Sequence, residues 1–443
     1  MIPTASPPKD GGGRRSLHHL GAAARGMWSS RITCHHAEES SHMRRTMTRS
    51  RLAVLIALVV GGTGLSTLPA AAVAADGSAP VDRRALQAAL DQMTQRDGLP
   101  GAQAVVAERG RTTIMSSGFG DLESRRPMPG PDGHLRMGSN VKTMVSTVVL
   151  QLLEEGKVSL DAPLSTYLPA VVPTAAGDAE KIKLRHLLQH TSGLHNYTDD
   201  VPAASRFQPF EHYTRQRLLK IGFSKKPNFE PGTNWSYSNT GYVLLGMVIE
   251  KVTGHPWQEE VAKRVFARAG MRHSYFPGEY EYGVRRPHAR GYMQVKGADG
   301  KIKTADVTEW DPSQADANGA GVSTPDDLNR FYTALLGGRL LKKATLTRMK
   351  TVMPVPNPQM KLAYGLGLGR YTLPCGGYAW GNGGNIEGFQ TLTGVIIDER
   401  GRITRTATVA TNTTFTDANV NGGADHLKAL YTALCTHSRD SAG

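Results

Sequence analysis

The sequence lacks the short signatures by which many enzymes are recognised. There is no His-Glu-x-x-His, no Gly-x-Ser-x-Gly and no phosphate loop, which sets aside helical zinc peptidases, elbow-type hydrolases and phosphate-loop nucleotidases. Gly365-x-Gly367-x-Gly369 lacks the spacing of a dinucleotide fingerprint and reads as a strand approached closely by another backbone or a ligand. His35, His36, Glu38 and His42 have metal-ligand chemistry but fall in a segment that reads as no part of the fold, so no metal and no other cofactor is expected. Lys and Arg outnumber Asp and Glu, giving a net charge of +14 with His neutral. The basic residues are scattered, without an aromatic-interleaved stripe, which excludes a nucleic-acid partner. A solvated basic surface explains them, and it would suit an anionic neighbour such as a cell wall.

Cysteine is scarce too. Of three, Cys34 lies near the N-terminus, leaving Cys375 and Cys435 in the body of the chain. In an exported protein these two are expected to pair, with two free thiols as the alternative. A bridge would close a loop of about 60 residues and contribute roughly 4 kcal/mol if unstrained.

Only one long apolar run is present, from Leu52 to Leu68, preceded by Arg44, Arg45, Arg49 and Arg51 and followed by Ala72-Val73-Ala74. This is the pattern of a secretory signal peptide over residues 43–74, with a membrane anchor as the alternative. Residues 1–42, rich in Gly, Ser, His and Arg and without periodicity, read as a non-native or disordered extension, with translation starting at Met43 or Met47. Residues 75–443 are then the mature domain, expected to be secreted, extracellular, monomeric and without a stable membrane span.

Apolar periodicity predicts a helix over Val81–Asp97 and strands over Gly101–Ala107 and Thr112–Ser117. Ser139–Glu155 is apolar on too wide a face for a surface helix and should be buried at the heart of the protein. Helices are predicted over Leu184–Gln189, Asn239–Val252, Pro256–Ala269, Pro325–Leu336, Lys343–Thr351 and His426–Cys435. Strands return over Leu362–Arg370, Gly388–Ile397 and Thr404–Thr411. The expected fold is α+β: one antiparallel sheet built from both termini and flanked by helices, with a mostly helical insertion.

The chemistry concentrates in three elements. Ser139-Asn140-Val141-Lys142 places a hydroxyl and an amine one helical turn apart, and a serine is a poor nucleophile without a base within reach. A helix start also favours developing negative charge. Tyr237-Ser238-Asn239 offers a phenol, which can shuttle a proton if Lys142 lowers its pKa, and an amide suited to holding Lys142 and a substrate amide. Taken alone it is an aromatic residue and a helix cap. Asn382-Gly383-Gly384 follows Trp380-Gly381.

These elements, with His190-Thr191-Ser192-Gly193-Leu194, Gly319-Ala320-Gly321-Val322-Ser323-Thr324 and Tyr364-Gly365-Leu366-Gly367-Leu368, resemble the beta-lactamase-like serine hydrolases, which include class C beta-lactamases and secreted D-Ala-D-Ala carboxypeptidases. The placement of Cys375 and Cys435 is similar to that of the secreted carboxypeptidases. The resemblance implies that Ser139 is acylated and that Lys142 or Tyr237 is the base, with Tyr237 passing a proton to the leaving nitrogen. It also implies that Asn239 binds the substrate amide and that the N–H groups of Ser139 and Asn385 form the oxyanion hole.

The third element departs from the family pattern of Lys or His, Thr or Ser, then Gly. Asn382 and Gly383 remove a cation and a hydroxyl that help hold a substrate carboxylate, an interaction of roughly 1.5 to 3 kcal/mol. Arg370 is the candidate replacement, and a solvated strand-end Arg is its plain alternative. D-Ala-D-Ala carboxypeptidase activity is the first expectation, on a D-amino-acid peptide, beta-lactam or ester. An esterase or D-aminopeptidase, or a wall-binding protein with degraded catalysis, are the alternatives.

Overall fold

The computed structural model describes residues 80–201, 209–296, 300–356, 362–414 and 422–435. The extension over 1–42 and the signal-peptide segment over 43–74 lie outside the described residues.

An eight-stranded sheet organises the fold. Its strands are β1 (Gly101–Glu108), β2 (Arg111–Gly118), β3 (Met353–Pro354), β4 (Leu362–Tyr364), β5 (Gly369–Thr372), β6 (Tyr378–Ile386), β7 (Phe389–Ile397) and β8 (Ile403–Thr411). The order is β2-β1-β8-β7-β6-β5-β4-β3, antiparallel at each pairing. The N-terminal hairpin thus joins the C-terminal strands through β1 and β8, in a register that sets Ala104 against Val409.

Both faces are covered. On one, α1 (Arg83–Asp91) and the closing helix Gly422–Leu434 share a core of Leu86, Leu90, Ala104, Val409 and Leu430. Cys375, between β5 and β6, is disulfide-bonded to Cys435 and ties the end of that last helix to the sheet. On the other face lies the helical insertion, whose centre is α2 (Asn140–Glu154). Residues 140–152 of α2 are all buried: the broad apolar face packs in the core, and the polar side chains Asn140, Lys142, Thr143 and Ser146 find partners inside. α3 (Asn239–Thr253) packs on α2, where Tyr242 Oη lies 3.0 Å from Ser146 Oγ. α4 (Pro325–Leu336) lies against the sheet, with Asn329 donating to the Val105 carbonyl at 3.0 Å and accepting from Thr408 at 2.9 Å.

Three local expectations are corrected. Leu362–Arg370 is two short antiparallel strands, because the chain reverses at Gly367, whose φ is +79°. A Cβ there would stand 1.9 Å from Ser146 Oγ on α2, so only glycine fits. Pro256–Ala269 is a helix interrupted by a widened turn over Ala262–Phe266. Tyr378–Ile386, absent from the predicted strands, forms the full-length strand β6. Its two Asn and three Gly residues disfavour strand locally, and pairing on both sides overrides that preference.

Candidate active site

Ser139 stands where α2 begins, next to Gly138 with φ +51°. A Cβ on Gly138 would come within 3.0 Å of the Asn385 nitrogen, and one on Gly384 within 2.0 Å of the Met137 carbonyl oxygen. These two glycines let β6 run against the nucleophile turn, bringing the backbones of Ser139 and Asn385 together. Asn140 reinforces the seam by donating to Thr391 Oγ1 at 2.8 Å. Arg136, 4% exposed, ties it further. Its guanidinium donates to the carbonyls of Tyr282, Val307, Thr308 and Glu387 at 2.9, 3.1, 2.6 and 3.1 Å. Burial lowers its pKa to about 10, which leaves it charged at neutral pH.

The Ser139 hydroxyl lies between an amine and a phenol. Lys142 Nζ is 2.9 Å from Ser139 Oγ, and Tyr237 Oη donates to the same oxygen at 2.7 Å. Lys142 is 0% exposed, and burial depresses its pKa well below the usual lysine value. Among the described residues its ammonium form would have no carboxylate partner; it meets the Ser139 hydroxyl, the Asn318 carbonyl at 2.8 Å and the rings of Tyr237 and Tyr242. Burial first, then Tyr364, pushes the Tyr237 phenol far above its ordinary pKa. The expectation that Lys142 lowers the Tyr237 pKa is therefore corrected: burial works against the charged form of both groups.

His190 holds Tyr237 from behind. The two rings are 4.4 Å apart, and His190 Nδ1 accepts the N–H of Ser238 at 3.1 Å. Burial above all disfavours the charged form of this imidazole. Ser238 in turn caps α3 by accepting from Gly241.

Asn239 does not hold Lys142, contrary to expectation. Its side-chain amide donates to Thr198 Oγ1 at 3.0 Å and its backbone N–H to Asn196 Oδ1 at 2.9 Å, because residues 196–198 wrap around the start of α3. Its Oδ1 is buried without a hydrogen-bond partner among the described residues.

Asn382 turns inward. It donates to Thr143 Oγ1 at 3.2 Å and Tyr364 Oη at 3.3 Å, and accepts the Gly383 N–H at 2.9 Å. Arg370 is not brought to the site. Paired with Trp380 in the sheet, it lays its guanidinium over Tyr378, 4.3 Å from the ring centroid, at the end of β6 away from Asn382. The remaining third-element residues, Gly383, Gly384 and Asn385, line the β6 edge of the site.

Sequence reasoning assigned no role to Asn318, Tyr197, Thr143, Arg136 or His190. A backbone carbonyl leaves no side-chain signal, and the other four act through partners far away in sequence. His190 alone stood in a quoted motif.

The family model described as Beta-lactamase matches residues 86–430. A D-stereospecific amidohydrolase from Streptomyces sp. is 34% identical, covers 77% of this chain and 98% of its own, and superposes with a TM-score of 0.67. The D-amino acid amidase from Ochrobactrum anthropi SV3 is 29% identical over 79% of this chain and 97% of its own, with a TM-score of 0.68. Esterase EstB of Burkholderia gladioli is 29% identical over 56% of this chain and 69% of its own.

Proposed function

The chain belongs to the beta-lactamase family and is a serine hydrolase, and we propose that it acylates Ser139 with D-amino-acid amides or esters and transfers the acyl group to water. Attack on the substrate carbonyl carries the Ser139 proton to Lys142 Nζ, which burial keeps in the amine form able to take it. Tyr237, a neutral phenol held against Ser139 Oγ, gives its own proton to the leaving nitrogen as the carbon–nitrogen bond breaks, and the proton that Lys142 took from Ser139 replaces it. The carbonyl oxygen, now negative, is received by the N–H groups of Ser139 and Asn385. Water then attacks the ester by the same steps in reverse, with Lys142 accepting its proton. Asn239 Oδ1 takes the substrate N–H.

One observation carries the choice of substrate. Asn382, where relatives that hold a carboxylate have a cation, is spent on Thr143 and Tyr364, and Arg370 lies over Tyr378. Among the described residues neither Asn382 nor Arg370 is placed to give a substrate carboxylate a charge-assisted partner, so the D-Ala-D-Ala carboxypeptidase reading is the weaker one. The similarity to a D-stereospecific amidohydrolase and a D-amino acid amidase supports the same choice. Export is part of the proposal, supported by the Cys375–Cys435 bridge, a bond of oxidising compartments.

The test is ammonia release from D- and L-phenylalanine amide, with Ser139→Ala as control. The proposal requires turnover of the D-amide and its loss in the variant. Hydrolysis confined to carboxylate-ended peptides would reverse it.

A further inference from the structure

The carbonyl that holds Lys142 belongs to a turn fixed from two sides. Asp316, at φ +40°, receives Trp257 Nε1 at 2.9 Å and Arg215 Nε at 2.7 Å, which anchors the start of the turn. Arg215 is held in turn by Glu250 on α3. At the other end Asn318 presents its carbonyl to Lys142 Nζ at 2.8 Å while its side-chain amide donates to Tyr197 Oη at 2.8 Å. Tyr197, 1% exposed, donates its own proton to the Gln314 carbonyl, and its backbone N–H bonds Thr240 Oγ1 at 3.1 Å. One hydroxyl thus spans the turn, accepting from residue 318 and donating to residue 314.

We propose that Tyr197 is a positioning residue: through the side chain of Asn318 it fixes the backbone carbonyl that holds Lys142, and so sets how readily that amine takes the Ser139 proton. This rests on Ser139 and Lys142 acting as nucleophile and base. A carbonyl oxygen stabilises an ammonium more than an amine. Releasing it makes Lys142 harder to protonate and also lets it drift from Ser139 Oγ.

The groups facing Lys142 add nothing that would mask this. They are Ser139 on its own helix, Tyr237 before α3, Tyr242 within α3 and the neutral His190. The carboxylate of the turn, Asp316, is engaged by Arg215 and Trp257. Burial first, and then the ionisable neighbours Asp316, Glu387 and Tyr237, keep the Tyr197 phenol protonated, so it goes on donating to Gln314.

The experiment is the pH profile of kcat/KM for D-phenylalanine methyl ester, measured on the full chain and on Tyr197→Phe, which removes only the hydroxyl. With one substrate in both, its own ionisation cancels. The expected result is an acid limb moved down by at least half a pH unit and a kcat about tenfold lower, with KM within twofold. Asn318→Ala cuts the same link from the other side and should reproduce the shift, which decides the matter if Tyr197→Phe does not fold. An unmoved acid limb in the folded variant, or activity lost only in proportion to thermal stability, overturns the inference. Ser139→Ala, run in parallel, separates the two claims: activity there would break the reading of the site itself, whatever Tyr197 does.

Discussion

The side-chain amide of Asn382 donates to the hydroxyl of Thr143, 3.2 Å away, and so faces the helix that carries Ser139. Thr143 in turn donates to the Gly367 carbonyl at 2.7 Å and accepts from Tyr332 at 3.3 Å. A residue that looks from the sequence like a defective substrate contact is part of a buried polar network, and a satisfied network of this kind fixes a single arrangement of its elements.

Restoring the missing cation tests that relationship. Replacing Asn382→His together with Gly383→Thr should improve use of peptides ending in a free carboxylate by about tenfold relative to their amides, the equivalent of one added charge-assisted bond. A Cβ at Gly383 would stand 3.0 Å from the Leu392 side chain, so some loss of stability accompanies the change. Paired kcat/KM values on peptide acid and peptide amide check it, and an unchanged ratio would show that Asn382 does not set selectivity.

Lys142 is held in the fold at a cost. Its folded pKa lies well below the ordinary 10.5, so below that pH the unfolded chain gains a proton the folded one refuses. Stability is undiminished above 10.5 and declines as the pH falls toward the folded value. Lys142→Met should abolish turnover while stabilising the protein at neutral pH by about 1 kcal/mol or more. Urea unfolding of both proteins at pH 7 and pH 9 checks it, with the gap narrowing at the higher pH.

Acid should destabilise the fold through buried histidines. Burial lowers His426 from 6.5 to about 4, with its Nε2 lying 2.9 Å from the Val409 carbonyl oxygen, and His190 is lowered as well. For such groups stability is complete above pH 6.5 and falls as the pH drops through the folded value. The contribution of His426 should reach about 3 kcal/mol at pH 4. Replacing it with Phe should flatten the unfolding curve over pH 6.5 to 4, and an identical slope would refute the assignment.

The Cys375–Cys435 bridge joins positions 60 residues apart and lies on the sheet face opposite α2. A Cys375→Ser, Cys435→Ser double variant should lose about 2–4 kcal/mol of stability while keeping kcat within twofold. Denaturant midpoints and steady-state rates on the same preparations check both halves.

The legible part of this protein was what periodicity and local chemistry encode. Ser139–Glu155 announces a buried helix because its apolar residues spread over too broad a face for a surface helix, and the strands beginning near residues 101 and 389 alternate or run apolar as strands do. The meeting of Ser139, Lys142 and Tyr237 was legible because their order and chemistry fit one site. Strand β6 was hidden, because its Gly and Asn residues carry close approaches and a buried network rather than strand propensity. Asn318 and Tyr197 were hidden too: one acts through its backbone, the other across 121 residues. Asn239 and Arg370 had the right chemistry for contacts they do not make: the Asn239 amide donates to Thr198 instead of holding Lys142, and the Arg370 guanidinium lies over the Tyr378 ring.

The most direct measurement of the central claim is the intact mass of the purified protein, acid-quenched within the first turnovers of a D-phenylalanine ester, followed by peptide mapping. The account predicts a D-phenylalanyl adduct on the peptide containing Ser139 and none in Ser139→Ala. Turnover of the ester with no adduct, or with the adduct on another residue, would contradict it.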